Sequence, residues 1–263
     1  MEKDQQPDGT VGKAVDVLQM VADAGRPVRF TDLQERSPFP KATLYRLLRT
    51  LAHQGLLSFD PDRGTYAPGL RLVRLAHAAW ATSALGPVAR PWLDRLAART
   101  GETIHLAQMD QGQVLYIDKR NAARPVEMFS SAGKVGPAYC TGVGKAMLAF
   151  LPMAEQEEAL ARQSFHAFTP RTITSAEALR AVLRDIRAAG HAFDTEEHEP
   201  GIICCAVPVL GHSGRVLGAL SVTSTTARTT VEALATRLPD LLETAASIAA
   251  EADAWRFPEA PRD

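Results

Sequence analysis

Pro40-Lys41-Ala42-Thr43-Leu44-Tyr45-Arg46-Leu47-Leu48-Arg49-Thr50-Leu51 decides how the first third of this chain folds. Leu44, Leu47, Leu48 and Leu51 stand at i, i+3, i+4 and i+7, which lays a narrow apolar seam along one side of a helix. The other side carries Lys41, Ala42, Thr43, Tyr45, Arg46 and Arg49. Short and cationic side chains suit a helix that lies in a major groove, where phosphates line the walls and base edges form the floor. Ser37-Pro38-Phe39-Pro40 forbids helix running into this segment, and Pro40 is well placed at its start.

The flanking segments extend the pattern. Thr31 with Gln34 predicts a capping box for a short helix through Glu35. Val11, Ala14, Val15, Leu18, Val21 and Ala22 repeat with helical period, and Gly25 predicts its stop. Residues 56–59 and 65–67 are strand-like runs around Asp60-Pro61-Asp62-Arg63-Gly64, a turn with Arg63 at its tip. Helix, turn, helix and basic flap in this order predict a winged helix-turn-helix over residues 8–69. Residues 11–75 hold ten Lys+Arg against six Asp+Glu, although the whole chain carries a net charge of −1. Because phosphate contact supplies most non-specific affinity, this implies a DNA-binding module joined to something else.

At 263 residues the chain has room for a second domain, and 46% hydrophobic with 22% charged residues is ordinary for soluble globular protein. No run approaches the ~18 apolar residues of a membrane span. Residues 1–10 are polar and acidic, unlike a signal peptide. Three cysteines, with Cys204 and Cys205 adjacent, make no paired framework and point to a cytoplasmic protein. Residues 70–84 read as a linker helix whose strip of Leu72, Val73, Leu75, Ala76 and Ala79 calls for a partner, either a second copy or the neighbouring domain.

Residues 85–255 alternate helix and strand. The pattern predicts helices at 87–100, 143–151 and 230–252, and one capped by Thr174 with Glu177 that runs to Gly190. Strands are predicted at 103–108, 114–119, 126–130, 202–210 and 216–223. Hairpins dominate over crossovers, so the class is α+β with a mainly antiparallel sheet and packed helices. Gly142-Val143-Gly144-Lys145 is no phosphate loop, since Tyr139 and Ala146 stand where Gly and Ser or Thr are required. No Gly-x-Ser-x-Gly elbow occurs, and Glu196-Glu197-His198 with Cys204 and Cys205 lacks zinc spacing, so neither an enzyme, a metal nor a cofactor is expected. Taken alone, Asp194 reads equally as a turn cap and Cys204 as a small core residue.

Four segments in order resemble the IclR family of bacterial transcriptional regulators over nearly the whole length. They are Phe39-Pro40-Lys41-Ala42-Thr43-Leu44-Tyr45-Arg46-Leu47-Leu48, Cys140-Thr141-Gly142-Val143-Gly144-Lys145-Ala146-Met147-Leu148-Ala149, Phe193-Asp194-Thr195-Glu196-Glu197-His198-Glu199-Pro200-Gly201, and Ala206-Val207-Pro208-Val209 with Ala219-Leu220-Ser221-Val222-Thr223. The resemblance implies a GAF-like C-terminal domain that binds a small, usually acidic metabolite and alters operator binding. It implies a pocket lined by Gly142, Val143, Asp194, Cys204, Ser221 and Thr223, with Met128 as an apolar wall. Thr223 departs from the Ser that relatives often carry there. The expected partners are a palindromic duplex operator, an organic acid and further copies of the chain, as homodimer or homotetramer. DNA contact is expected from Lys41, Ala42, Thr43, Tyr45, Arg46, Arg49 and Arg63. Two other readings compete: a redox-responsive regulator acting through Cys204 and Cys205, and an enzyme with an appended DNA-binding domain.

Overall fold

A computed structural model describes residues 9–82, 85–126 and 128–254. Asp8, residues 83–84 and Trp255, which stand at the expected domain boundaries, lie outside the described residues, as do Glu127 and the side chains of Ala79 and Trp80. The chain divides into two compact units after Thr82.

The first unit runs α1 (Thr10–Asp23), β1 (Val28–Arg29), α2 (Phe30–Arg36), α3 (Lys41–His53), β2 (Leu57–Asp60), β3 (Thr65–Pro68) and α4 (Leu70–Thr82). Its three strands form an antiparallel sheet in the order β1-β3-β2. The leucine seam of α3 is buried against Val17 and Val21 of α1, Leu33 of α2, and Leu57 and Tyr66 of the wing. Gly25 and Gly64 both take positive φ, as a helix stop and a tight turn require. The Thr31 capping box does not form: Arg29 stands at the N-cap of α2, no side chain caps it, and the Thr31 hydroxyl turns to Asp32 at 3.3 Å. Pairing of Val28 and Arg29 with β3 holds the backbone extended to Arg29, so the helix begins before Thr31 and leaves that residue inside the first turn, where it cannot cap.

The second unit runs α5 (Leu85–Thr100), β4 (Thr103–Asp110), β5 (Gln113–Arg120), β6 (Val135–Gly136), α6 (Gly142–Phe150), α7 (Met153–Ala161), α8 (Ala176–Ala189), β7 (Ala192–Thr195), β8 (Ile202–Leu210), β9 (Val216–Thr225), α9 (Val231–Ala235) and α10 (Leu238–Ala254). A six-stranded sheet in the order β6-β5-β4-β9-β8-β7 has antiparallel pairing throughout. Strand alternation splits its apolar residues between two cores. Ile104, Leu106, Ile203, Cys205, Val207, Leu220 and Val222 face α5 and α10, whereas Ala107, Ala206 and Ala219 face α6. These three alanines let α6 approach the sheet closely. Gly144 belongs to the same fit, because a Cβ there would collide with the backbone of Ala138.

Three local expectations need correction. The stretch 126–130 contains no strand among its described residues, and the edge strand is β6 instead. The Phe129 N–H donates to both carboxylate oxygens of Glu199, at 3.1 and 3.0 Å, and the Ser130 carbonyl accepts from Lys119 Nζ at 2.8 Å, so side chains take the place of a ladder. The helix expected over 230–252 is two: Thr230 caps α9, which stops at Thr236, and α10 starts at Leu238. Pro239 lacks an N–H to donate and is tolerated only in a first turn, which restarts the helix there. Ser175, not Thr174, caps α8, accepting from Ala178 N at 3.2 Å. Gly190 ends that helix with φ +78, as expected.

Candidate functional site

Two surfaces bring together the side chains singled out by their chemistry. On the first unit, Lys41, Ala42, Tyr45, Arg46 and Arg49 are exposed on the face of α3 away from its seam, and Thr43 is half-buried. Arg49 lies over the Tyr45 ring, its guanidinium carbon 5.9 Å from the centroid. Arg63 stands at the wing tip, with Asp60 3.9 Å away. The Asp60 carboxylate also accepts from the backbone N–H of Asp62 and Arg63, at 2.9 and 3.1 Å, and so shapes the turn that presents the arginine.

On the second unit, a small cavity opens where the N-terminus of α6 meets the sheet. Met128, Gly142, Val143, Asp194, Cys204, Ser221 and Thr223 all line it. Strand register explains the convergence of residues so far apart in the chain. Asp194, Cys204 and Thr223 are partners across β7, β8 and β9, and His105, Ser221 and Ala206 form the next row across β4, β9 and β8. Side chains two apart on a strand share a face, so both rows look toward α6. Gly142 admits no side chain, because a Cβ there would collide with Cys204 Sγ.

His105, Tyr116, Ser130, Thr141, His198, Glu199 and Ile202 complete the lining and were not singled out from sequence. His105 is the important omission. Its Nε2 lies 2.8 Å from Ser130 Oγ, and its Nδ1 lies 3.2 Å from Thr223 Oγ1 and 3.4 Å from Ser221 Oγ. Ser221 Oγ and Thr223 Oγ1 are 3.3 Å apart. Burial, with Lys119 adding to it, lowers the His105 pKa to about 3. The ring is therefore neutral at physiological pH and offers one donor and one acceptor to this hydroxyl network. A signal existed: His105 is a polar residue between the apolar Ile104 and Leu106, two positions from Thr103 and so on the same strand face.

Electrostatics at the cavity are mixed. Thr141 is the N-cap of α6, but its hydroxyl donates to the Pro137 carbonyl at 2.8 Å, so no side chain caps the helix. The positive end of the helix dipole is thus directed at the cavity beside Gly142. Asp194 faces it. Burial pushes its pKa up to about 7, against the lowering effect of the Glu197 N–H that its Oδ1 accepts at 2.8 Å. Lys145 Nζ forms a buried ion pair with Glu197, which ties the loop after β7 to α6. Glu199 closes the mouth through its bonds to Phe129 N. Among the described residues no His, Cys, Asp and Glu cluster could hold a metal ion.

Cys204 and Cys205 point to opposite faces of β8, one into the cavity and the other into the core under α10. Burial raises the Cys204 thiol well above its ordinary range and pushes the Cys205 thiol up to about 12. Both stay protonated and poorly nucleophilic. The redox reading and the enzyme reading find no support.

A winged helix-turn-helix with a cationic recognition face, followed in the chain by an α+β unit with a polar cavity, defines a DNA-binding transcriptional regulator with an effector-binding domain. The chain belongs to the IclR family: residues 10–61 match the IclR helix-turn-helix domain, and residues 77–250 match the bacterial transcriptional regulator IclR C-terminal domain. It is 33% identical over 257 residues to the HTH-type transcriptional regulator KdgR of Escherichia coli, covering 97% of each chain. It is 34% identical over 219 residues to XynR of the same organism, covering 83% of this chain and 87% of that one. An IclR homologue of Microbacterium hydrocarbonoxydans, solved with 4-hydroxybenzoate, superimposes with a TM-score of 0.82 at 25% identity, covering 94% of this chain and 100% of that one.

Proposed function

We propose that this chain is a cytoplasmic, non-enzymatic regulator that reads a palindromic duplex operator as a homodimer or homotetramer and is modulated by a small organic acid. No helix among the described residues is long and apolar enough to cross a membrane. The observation that carries the effector reading is the convergence of Met128, Gly142, Val143, Asp194, Cys204, Ser221 and Thr223 on one cavity at an uncapped helix start. The acid's carboxylate meets the N–H groups beside Gly142 and Val143, where the helix dipole favours negative charge. Ser221 and Thr223, oriented by neutral His105, donate hydroxyls to it or to a neighbouring oxygen. The raised pKa of Asp194, about 7, keeps a large share of its carboxyl protonated near neutral pH, and in that form it meets the ligand as a proton donor. The cavity holds only about 30 Å³, far below the roughly 300 Å³ at which ligand pockets begin. On this reading a ligand enters only if the 128–130 and 198–202 loops spread. At the other surface Ala42 and Thr43 approach base edges, while Lys41, Tyr45, Arg46, Arg49 and Arg63 hold phosphates.

A thermal-shift screen of small carboxylates, keto acids and aromatic acids tests this. A ligand at about 100 times its Kd stabilises its site by about 2.7 kcal/mol. The Arg46→Ala variant is expected to keep the ligand's shift and to lose gel-shift retention of genomic fragments that the wild type selects. The Asp194→Ala, Ser221→Ala double variant is expected to do the reverse. An acid whose shift survives the double variant binds elsewhere and removes the pocket assignment.

A further inference from the structure

Between the recognition helix and the wing lies an open notch of about 630 Å³. Its walls are Phe30 at the start of α2, Tyr45 on α3, Phe59 on β2 and Tyr66 on β3, with Lys41 and Gly64 at the rim. The rings form two pairs: Phe30 meets Tyr45 edge-on at 6.0 Å, and Phe59 meets Tyr66 at a tilt at 4.8 Å. Tyr66 is 5% exposed, but Tyr45 is 50% and Phe59 47% exposed, which leaves aromatic faces uncovered.

Charge identifies what covers them. Lys41 lines the notch, Arg49 lies over the Tyr45 ring and Arg63 precedes Gly64 at the rim, all three exposed, and no carboxylate lines it. In the wing, the Asp60 carboxylate is engaged by the Asp62 and Arg63 N–H groups. The occupant is therefore apolar on one side and anionic at its edge. If α3 lies in a major groove, its flanking wing crosses the strand that walls the groove, and that strand presents deoxyribose C–H faces linked by phosphates. We propose that the Phe30, Tyr45, Phe59 and Tyr66 notch seats one deoxyribose of the duplex backbone, with Lys41 on the adjoining phosphate, as a contact that does not depend on base sequence. This rests on the DNA-binding reading and adds the backbone unit that fits between helix and wing. The Tyr66 phenol, its pKa raised by burial and by neighbouring Tyr45, remains protonated and able to donate to that phosphate.

Because the contact ignores sequence, a mixed-sequence 30-base-pair duplex is a sufficient probe. Fluorescence anisotropy with the full chain, from about 50 to 200 mM KCl, separates apolar from ionic terms by the slope of log K against log salt. For Phe59→Ala the expected result is about fivefold weaker binding with the wild-type slope, since apolar burial releases no counterions. For Lys41→Ala the slope falls by about 1. Phe59→Leu keeps apolar bulk on Tyr66 and is expected within about twofold of wild type, and a melt of each variant shows that folding is unchanged. Should Phe59→Ala bind the duplex as tightly as wild type, while Arg46→Ala still weakens it, the notch assignment falls and the regulator reading stands. Weaker self-association of Phe59→Ala with unchanged duplex binding would assign the notch to a second copy and equally overturn the proposal. A wild-type chain that fails to bind the duplex removes the DNA-binding reading itself.

Discussion

At the scale of single residues, two buried groups in the cavity give it a pH signature of known sign. Asp194 keeps its proton to about 7 against an ordinary 3.8, because burial penalises the carboxylate. Between those values the native state binds a proton that the unfolded chain has released, so stability is lost as pH rises through the interval. His105 acts oppositely: burial lowers it to about 3 from 6.5, so the native state refuses a proton that the unfolded chain accepts, and stability is lost as pH falls from 6.5. From about pH 4 to 6.5 the two slopes oppose each other, and the wild type conceals both. Asp194→Asn is expected to gain melting temperature over wild type progressively up to about pH 7 and then hold the gain, whereas His105→Gln gains on wild type as pH falls below about 6.5. Circular-dichroism melts across this range decide it. Curves for variants and wild type that stay parallel would mean that neither group is titrating as buried.

At the scale of elements, legibility followed locality. The α3 seam was readable because i, i+3, i+4 and i+7 spacing is a property of one helix, and all four leucines are buried. The wing was readable from its turn residues. Elements failed where a distant partner decided them: β1 pairs with β3 and moves the start of α2, and Glu199 takes the Phe129 N–H that a strand at 126–130 would have used. This last bond makes the loop a clasp on the cavity. A hydrogen bond to a charged acceptor contributes about 1.5–3 kcal/mol. Glu199→Gln keeps the shape but weakens the acceptor, and amide exchange at Phe129 is expected to quicken about tenfold while exchange within β8 stays at the wild-type rate. Unaltered exchange at Phe129 would show that packing, not this carboxylate, holds the loop. The site itself was only partly legible. Gly142, Asp194 and Ser221 came from family resemblance, but His105 joins them through the register of β4 on β9, and no window of sequence contains that pairing.

At the scale of the molecule, the first unit leaves apolar side chains uncovered on α1 and α4. Val11 and Val15 of α1 are 79% and 56% exposed, and Leu70, Val73 and Leu75 of α4 are 83%, 52% and 51% exposed. The start of α4 is tied to the end of α3, with Arg71 Nη1 donating to both the carbonyl and the side-chain oxygen of Gln54 at 2.9 Å. Its uncovered residues, with Val11 and Val15 of α1, make an apolar array that a second copy would cover in the proposed homo-oligomer. One recognition helix reads few base pairs, so on the proposed palindromic operator two copies are expected to engage half-sites about 10 base pairs, or a multiple, apart. Once one half-site is held, the second binds at an effective concentration in the millimolar range, which raises overall affinity by about 10²- to 10⁴-fold. A charge placed in the array should remove that factor and nothing else. Val15→Asp combined with Leu75→Asp is expected to sediment as a smaller species, to lose at least about a hundredfold in operator affinity, and to keep the wild-type thermal shift with any effector. Sedimentation equilibrium and anisotropy on the same samples make the test. A variant that keeps the wild-type mass while losing operator affinity would move the interface to another surface and leave these apolar residues facing the duplex or solvent.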